Sequence, residues 1–192
     1  MSEFMNDNEN KIEQEPNQKD RTRYAKGLSL IQIMFMLAVL GIVLYGALNW
    51  LGKRETPPAV TFKTISGEEI STASLQGKVV LVNFWATSCG PCKAEMPHLV
   101  ATYNKYKASG VELVAVAMHY DPAQQVQRYA QDHALPFKVA LDVDGKVATA
   151  FGEVTLTPTT FLIDKQGQII KRFTGTPEFP ELHKLIEDTL AA

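Results

Sequence analysis

The sequence predicts an α/β domain with a central mixed sheet flanked by helices, preceded by a single transmembrane helix. Residues 27–52 contain no charged side chain. Two near-continuous apolar runs follow at 78–85 and 111–117, as expected for central strands buried on both faces. The segment between them has helical periodicity, so the three form a strand–helix–strand unit with parallel strands and a right-handed crossover.

Length, charge and cysteine content argue against several classes of protein. The chain has 192 residues, a formal net charge of −2, 45 % hydrophobic residues and 21 % charged residues. This length allows one ordinary domain with extra segments, and the composition is that of a chain with a hydrophobic core. The near-neutral charge argues against a general nucleic-acid binder. Two cysteines are too few for a disulfide-stapled miniprotein or an all-cysteine zinc or iron–sulfur site.

The chain begins with a polar tail at 1–26, predicted to be disordered, and continues with the apolar span at 27–52. At 1.5 Å per residue, about 24 helical residues reach roughly 36 Å, more than the ~30 Å hydrocarbon layer of a bilayer. A buried core helix would need a polar face or a larger domain around it. A cleaved signal peptide is disfavoured because the apolar stretch is longer than a signal-peptide core.

The flanking charges predict the orientation of the span. Four basic residues lie close before it and two directly after it: Lys19, Arg21, Arg23 and Lys26, then Lys53 and Arg54. The positive-inside rule therefore places the tail in the cytoplasm and exports the rest of the chain. Residues 53–58 are predicted to form a short linker, and residues 59–192 one α/β domain.

The other elements of the domain follow from the same kinds of pattern. A helix of roughly 18 residues opens at Cys89, after the first central strand. Asp121 and Pro122 are typical of an N-cap and a first helical turn. Strands at 160–164 and 168–173 flank a turn, which predicts a hairpin. A closing amphipathic helix has one apolar face, made by Leu182, Leu185, Ile186 and Leu190.

The two cysteines form the tetrad Cys89-Gly90-Pro91-Cys92 at the start of the first helix of the domain. Their i, i+3 spacing puts both sulfurs on one side of the first turn, close enough for a reversible bridge. Unpaired amides and the positive end of the helix dipole favour a thiolate at Cys89. Gly90 permits a sharp turn, and Pro91 sits where no backbone N–H is needed. This pattern predicts exchange: Cys89 attacks a substrate disulfide and Cys92 resolves the mixed disulfide.

A structural disulfide and a zinc site are the alternatives for this tetrad. A bridge over so short a loop would stabilise little, because loop-closure stabilisation grows with loop length. A zinc site would need further ligands, and only His98 is near in sequence, while three other histidines are scattered: His119, His133 and His183. The placement of the tetrad after a strand and before a helix favours redox chemistry.

The segment from Phe84 to Pro97, FWATSCGPCKAEMP, resembles the active-site segment of the membrane-anchored, thioredoxin-like TlpA/ResA family. Residues 157–164, TPTTFLID, extend the resemblance, and the order of elements carries it over about 58–190. It implies a thioredoxin-like fold with a strand–helix insertion at about 120–151. It also implies a single-pass protein of the bacterial inner membrane whose periplasmic domain reduces disulfides of exported proteins, often those of apocytochrome c.

The resemblance also implies the redox partners. It implies no metal and no cofactor beyond the redox-active Cys89–Cys92 disulfide. The Gly-Pro dipeptide between the cysteines matches thioredoxin, a reductant at about −270 mV, whereas the oxidant DsbA lies at about −120 mV. A reductant in an oxidising compartment must be recharged, and the chain has no second dithiol. A membrane electron donor of the DsbD/CcdA kind is therefore implied. The alternative to a disulfide reductase is a thiol oxidase or isomerase of the same fold.

Family analogy assigns a proton-transfer role to Glu95, three positions after Cys92 on the same helix face. A partly buried carboxyl with a raised pKa could accept the Cys92 proton, whereas the alternative is an exposed surface charge. Asn83 stands where thioredoxin has a buried aspartate, which leaves the task to Glu95. Ser88 stands where relatives commonly have tryptophan, so substrate docking is expected to differ. Pro97 lies inside the helix and is expected to kink it.

The predicted substrate-binding residues surround the tetrad. Pro158 matches the proline that faces the cysteines and is cis in thioredoxin-like folds. Thr157 before it would offer its backbone to an extended substrate segment. Gly90, Pro91 and Trp85 complete the set, although Trp85 is better explained as a core or pocket-wall residue than as a catalytic one.

The sequence offers three alternatives to a disulfide reductase: a pilin-like assembly protein, a peroxidase and a thiol-independent chaperone. Residues 27–34 resemble a type IV prepilin N-terminus, which predicts a pilin-like membrane assembly protein carrying a redox domain, but Gln32 stands where pilins have glutamate. A peroxidase of the peroxiredoxin kind would need a proline seven positions and a threonine three positions before the cysteine. Val82 and Ala86 stand at those positions before Cys89, so the signature is absent. A thiol-independent chaperone would retain its activity in a Cys89→Ser variant.

Overall fold

The computed structural model describes residues 29–51 and 55–192. The described residues fall into two units, 29–51 and 55–192. The first contains helix α1, Leu30–Leu51. Its window Leu30–Ala47 has a mean hydropathy of 2.3 and is long and apolar enough to cross a membrane. This fits the predicted span. The predicted tail at 1–26 and the basic residues that set its orientation lie outside the described residues.

The second unit is built on a seven-stranded sheet with the order β2-β1-β5-β4-β3-β6-β7. Its strands are β1 Thr61–Thr64, β2 Glu69–Ser71, β3 Val79–Trp85, β4 Val111–Ala117, β5 Lys138–Leu141, β6 Thr159–Ile163 and β7 Ile169–Thr174. Its α-helices are α2 Gly90–Tyr106, α3 Ala123–Asp132, α4 Lys146–Ala150 and α5 Phe179–Ala191. This is the predicted mixed sheet flanked by helices, with the strand–helix insertion in place as β5 and α4.

The central strand–helix–strand unit is confirmed. Strands β3 and β4 pair in parallel over their full length, from Val79↔Val111 to Trp85↔Ala117, and α2 connects them. Strand β6 runs antiparallel to β3 and forms the predicted hairpin with β7. The continuous apolar run of β3 has the expected cause, since all seven of its residues are buried.

Alternate residues of β3 face two different cores. Val79, Leu81 and Trp85 join the core that also contains Leu99 of α2. Val80, Val82 and Phe84 join the core on the opposite face of the sheet. Because successive strand residues point to opposite faces, Asn83 shares the face of Leu81 and Trp85, on which α2 packs. A polar side chain is thereby placed beneath the helix that carries the cysteines.

Two features of the fold differ from the sequence predictions. Strands β1 and β2 were not predicted, because runs of four and three residues are too short to show a clear alternation. Asp121 does not cap α3: the N-cap is Pro122, which makes no side-chain cap. Asp121 instead accepts hydrogen bonds from Thr87, in the loop after β3. A more distant partner has displaced the local capping contact.

Candidate active site

Three loops meet at one edge of the sheet. The parallel strands β3 and β4 both end there, followed by residues 86–89 and 118–122. Strand β6 runs in the opposite direction and begins there, with Thr159 paired to Phe84. Pro158 therefore lies at the same edge as the cysteines, in agreement with the rule that sites form beyond the carboxyl ends of parallel strands.

The cysteines are joined by a disulfide at the start of α2, with 5.3 Å between their Cα atoms. Cys89 is the N-cap residue, and its Sγ accepts a hydrogen bond from the backbone N–H of Cys92 at 3.2 Å. Gly90 and Pro91 fill the first turn and are exposed. In the reduced protein the same N–H and the helix N-terminus would stabilise a Cys89 thiolate.

The two sulfurs differ in access. Cys89 is half-buried, whereas Cys92 is fully buried in the core between α2 and the sheet. An incoming disulfide therefore reaches Cys89 first. This asymmetry agrees with the predicted roles, in which Cys89 attacks and Cys92 resolves.

Glu95 is buried beside the disulfide turn, with 1 % of its surface exposed. Its Oε1 accepts a hydrogen bond from Asn83 Nδ2 at 2.8 Å, and the same amide donates to Thr160 Oγ1 at 2.9 Å. Burial raises the pKa of Glu95 to about 7, while the Asn83 amide and the Thr176 hydroxyl act in the opposite direction. The surface-charge alternative for Glu95 is wrong, because the side chain is buried. A carboxyl with this raised pKa can exchange a proton near neutral pH.

The Thr157–Pro158 peptide bond is cis, as the resemblance implied. Pro158 is buried, and its carbonyl oxygen accepts a hydrogen bond from Gly175 N–H at 2.8 Å. Within the described part of the chain, no hydrogen bond engages the backbone N–H or C=O of Thr157. An extended substrate segment could therefore pair with this residue.

The structure also locates two other residues singled out in the sequence, Trp85 and Pro97. Trp85 has no exposed surface and packs against Tyr129, with 5.2 Å between ring centroids. It is a wall of the core rather than a surface for substrate in this structure. Helix α2 continues through Pro97 to Tyr106, so the predicted position of Pro97 inside the helix is confirmed. The kink expected at Pro97 stays a prediction.

Three polar partners in the site were not predicted. Asp121 accepts a hydrogen bond from the backbone N–H of Thr87. Thr160 accepts one from the Asn83 side-chain amide. Thr176 lies near Glu95. Asp121 could have been found from its position, because it follows β4 at the edge where the parallel strands end. The two threonines depend on the register of β6 and β7, for which the sequence has no signal.

Comparison with known proteins gives consistent results. The Redoxin family model matches residues 53–186. The thiol-disulfide oxidoreductase ResA of Halalkalibacterium halodurans is 36 % identical over 176 residues, covering 85 % of this chain and 97 % of that protein. ResA of Bacillus subtilis is 33 % identical over 155 residues, covering 79 % and 86 %.

Solved structures agree with the sequence relatives. A solution structure of a Neisseria meningitidis protein assigned as a thioredoxin has a TM-score of 0.67 and 40 % identity, covering 72 % of this chain and 92 % of that one. The crystal structure of a thioredoxin-family thiol:disulfide interchange protein from Chlorobium tepidum has a TM-score of 0.66 and 26 % identity, covering 72 % and 98 %.

Proposed function

Because this chain belongs to the Redoxin family, as a ResA/TlpA-like thiol-disulfide oxidoreductase with a thioredoxin-like fold, we propose that it reduces disulfides of exported proteins. One observation carries the proposal. Half-buried Cys89 caps a helix N-terminus through its sulfur, while its fully buried partner Cys92 lies on the helix face that also holds Glu95. A nucleophile, a resolving thiol and a proton acceptor are thereby arranged along two turns of α2.

The reaction begins with the reduced protein. The Cys89 thiolate attacks one sulfur of the substrate disulfide, that bond breaks, and the other substrate sulfur leaves and takes up a proton. Glu95 in its carboxylate form accepts the proton of Cys92, and the Cys92 thiolate then attacks Cys89 Sγ. The mixed disulfide breaks and the second substrate thiol is released. Two electrons pass from the protein dithiol to the substrate, and the Cys89–Cys92 disulfide remains.

We place this domain outside the cytoplasmic membrane, anchored by α1 with the N-terminus inside. The length and hydropathy of α1 support the anchor, and the basic residues before the span support the orientation. A reductant outside the cytoplasm has to be recharged after each turnover. We therefore propose a membrane electron donor of the DsbD/CcdA kind, and apocytochrome c among the substrates.

The decisive experiment uses the full chain in detergent. A Cys92→Ser variant should stop at the mixed disulfide, and mass spectrometry of the trapped species would identify the substrate. Redox titration of the unmodified protein should give a potential close to that of thioredoxin, about −270 mV. A value close to that of DsbA, about −120 mV, would instead identify a thiol oxidase.

Exposed apolar side chains support a protein substrate. Among residues 55–192, three large hydrophobic side chains are strongly exposed: Tyr120 at 51 %, Val143 at 75 % and Leu156 at 63 %. Leu156 directly precedes Thr157, and Tyr120 directly precedes Asp121, whose carboxylate binds the active-site loop. Two of the three thus lie in loops at the sheet edge that carries the disulfide, where they could contact apolar residues beside the target cysteine.

Leu156→Ser is therefore expected to raise KM for a protein substrate about five- to tenfold while leaving kcat unchanged, because it removes docking surface and no reacting group. Steady-state reduction of an unfolded disulfide-containing protein measures both constants. Val143→Ser is the matched control, since it removes an even more exposed apolar side chain, in the β5–α4 loop. Equal effects of the two substitutions would refute a local docking surface.

A further inference from the structure

The loop that presents Cys89 is tied to the next loop of the sheet edge by one carboxylate. Asp121 is 8 % exposed. Its Oδ2 accepts a hydrogen bond from Thr87 N–H at 2.6 Å, and its Oδ1 accepts another from the Thr87 hydroxyl at 2.5 Å. Gln125 of α3 also faces this hydroxyl, at 3.3 Å. A carboxylate that binds a backbone and a side-chain donor of the same residue is a strong and directional anchor.

Thr87 occupies the middle of a tight turn. The Cys89 N–H donates to the carbonyl of Ala86 at 3.1 Å, so residues 86–89 form one unit between β3 and α2. The orientation of this turn decides where Cys89 Sγ lies relative to the Cys92 N–H, 3.2 Å away. Anchoring Thr87 therefore fixes the contact that would stabilise a Cys89 thiolate.

We propose that Asp121 is a positioning residue for Cys89: through Thr87 it holds the active-site turn so that the attacking sulfur stays on the helix N-terminus. The proposal rests on the function proposed above, since it concerns how the same nucleophile is activated. Asp121 touches neither sulfur and acts only through Thr87.

The two contributions of Asp121, its negative charge and its hold on the turn, have opposite effects on the pKa of the Cys89 thiol. This opposition makes the proposal testable. A negative charge near Cys89 disfavours the thiolate, so removing it would lower the thiol pKa. Loosening the turn weakens the contact between Cys89 Sγ and the amide, so it raises the thiol pKa. Asp121→Asn removes the charge and weakens the anchor at the same time. The sign of the change therefore shows which effect dominates.

The experiment measures the thiol pKa of Cys89 from alkylation rates across pH, in full-length protein carrying Cys92→Ser so that one thiol titrates. Asp121→Asn and Thr87→Val are each expected to raise that pKa by about half to one pH unit. Thr87→Ser keeps the hydroxyl and should restore the original value. Thermal unfolding of each variant reports stability separately.

Several outcomes would overturn the proposal. A lower thiol pKa in Asp121→Asn would mean that charge, and not position, is what Asp121 contributes. An unchanged thiol pKa in both variants, with only a loss of thermal stability, would make the tie purely structural. If Asp121→Asn does not fold, the Thr87→Val and Thr87→Ser pair still decides. No substrate enters this measurement, so it is separate from the direction of electron flow: an oxidising potential would refute the reductase and leave this result intact.

Discussion

Cys89→Ser is expected to lower the rate of disulfide reduction by about three orders of magnitude or more, because it replaces the attacking thiolate with a hydroxyl that does not ionise at neutral pH. The substitution is nearly isosteric at a half-buried position, so the fold should be retained. Reduction of a protein disulfide followed by thiol titration measures the loss.

Cys92→Ser is the matched comparison for this first result. It keeps the attacking sulfur, so it should still form one mixed disulfide per chain and then stop. In the reduced protein, an alkylating reagent should modify Cys89 well before the fully buried Cys92. Activity that survives Cys89→Ser would contradict the redox function and favour a thiol-independent chaperone. A Cys89 that reacts no faster than a free cysteine at any pH would contradict its activation by the helix.

Glu95→Gln is expected to slow the resolution of the mixed disulfide about 100-fold or more at pH 8, because the amide accepts no proton from Cys92. In the unmodified protein the carboxyl has a pKa of about 7, so its basic form is lost as the pH falls below that value. The resolution rate of the wild type should therefore decrease as the pH falls below 7. In the variant this pH dependence should be absent. Stopped-flow measurement of substrate thiol release across pH 5–9 tests both statements.

Glu95→Gln lowers the rate of resolution, but it should raise the free energy of unfolding at neutral and alkaline pH. The folded-state pKa of Glu95 lies above its ordinary value of 4.5. Below pH 4.5 both states are protonated, and Glu95 and glutamine should be equivalent. As the pH rises towards 7 the unfolded chain ionises first, so the wild type loses stability. Above pH 7 the oxidised Glu95→Gln protein should be more stable by about 3 kcal/mol.

Urea unfolding of the oxidised, full-length protein at pH 4, 6 and 8 measures this stability difference. Glu69→Gln is the control, because Glu69 is exposed on β2 and its carboxylate lies 3.9 Å from Lys63 Nζ. Its stability difference should stay close to zero at every pH. A Glu95→Gln protein that is less stable at pH 8 than the wild type would show that the buried carboxylate is better solvated than its surroundings suggest.

Much of the architecture could be predicted from local patterns. The apolar runs of β3 and β4 predicted central strands, since a short apolar run bounded by turn residues is typical of a strand buried on both faces. The cysteine tetrad specified a helix start, because Pro91 and a capping residue suit the first turn. The short edge strands β1 and β2 could not be predicted in this way, because their pairing with β5 and with each other supplies the order that their own residues lack.

The sequence by itself determined the chemistry: two thiols three residues apart at a helix start, with a carboxyl three positions further on the same face. Only the tertiary structure decided how those groups differ. Burial of Cys92 and exposure of Cys89 depend on how α2 packs on the sheet. The raised pKa of Glu95 depends on desolvation between α2 and β3, with Asn83 as its partner. Asp121 reaches Thr87 across 34 positions of the chain. Burial and long-range pairing are properties of the packed fold, so no local pattern of residues specifies them.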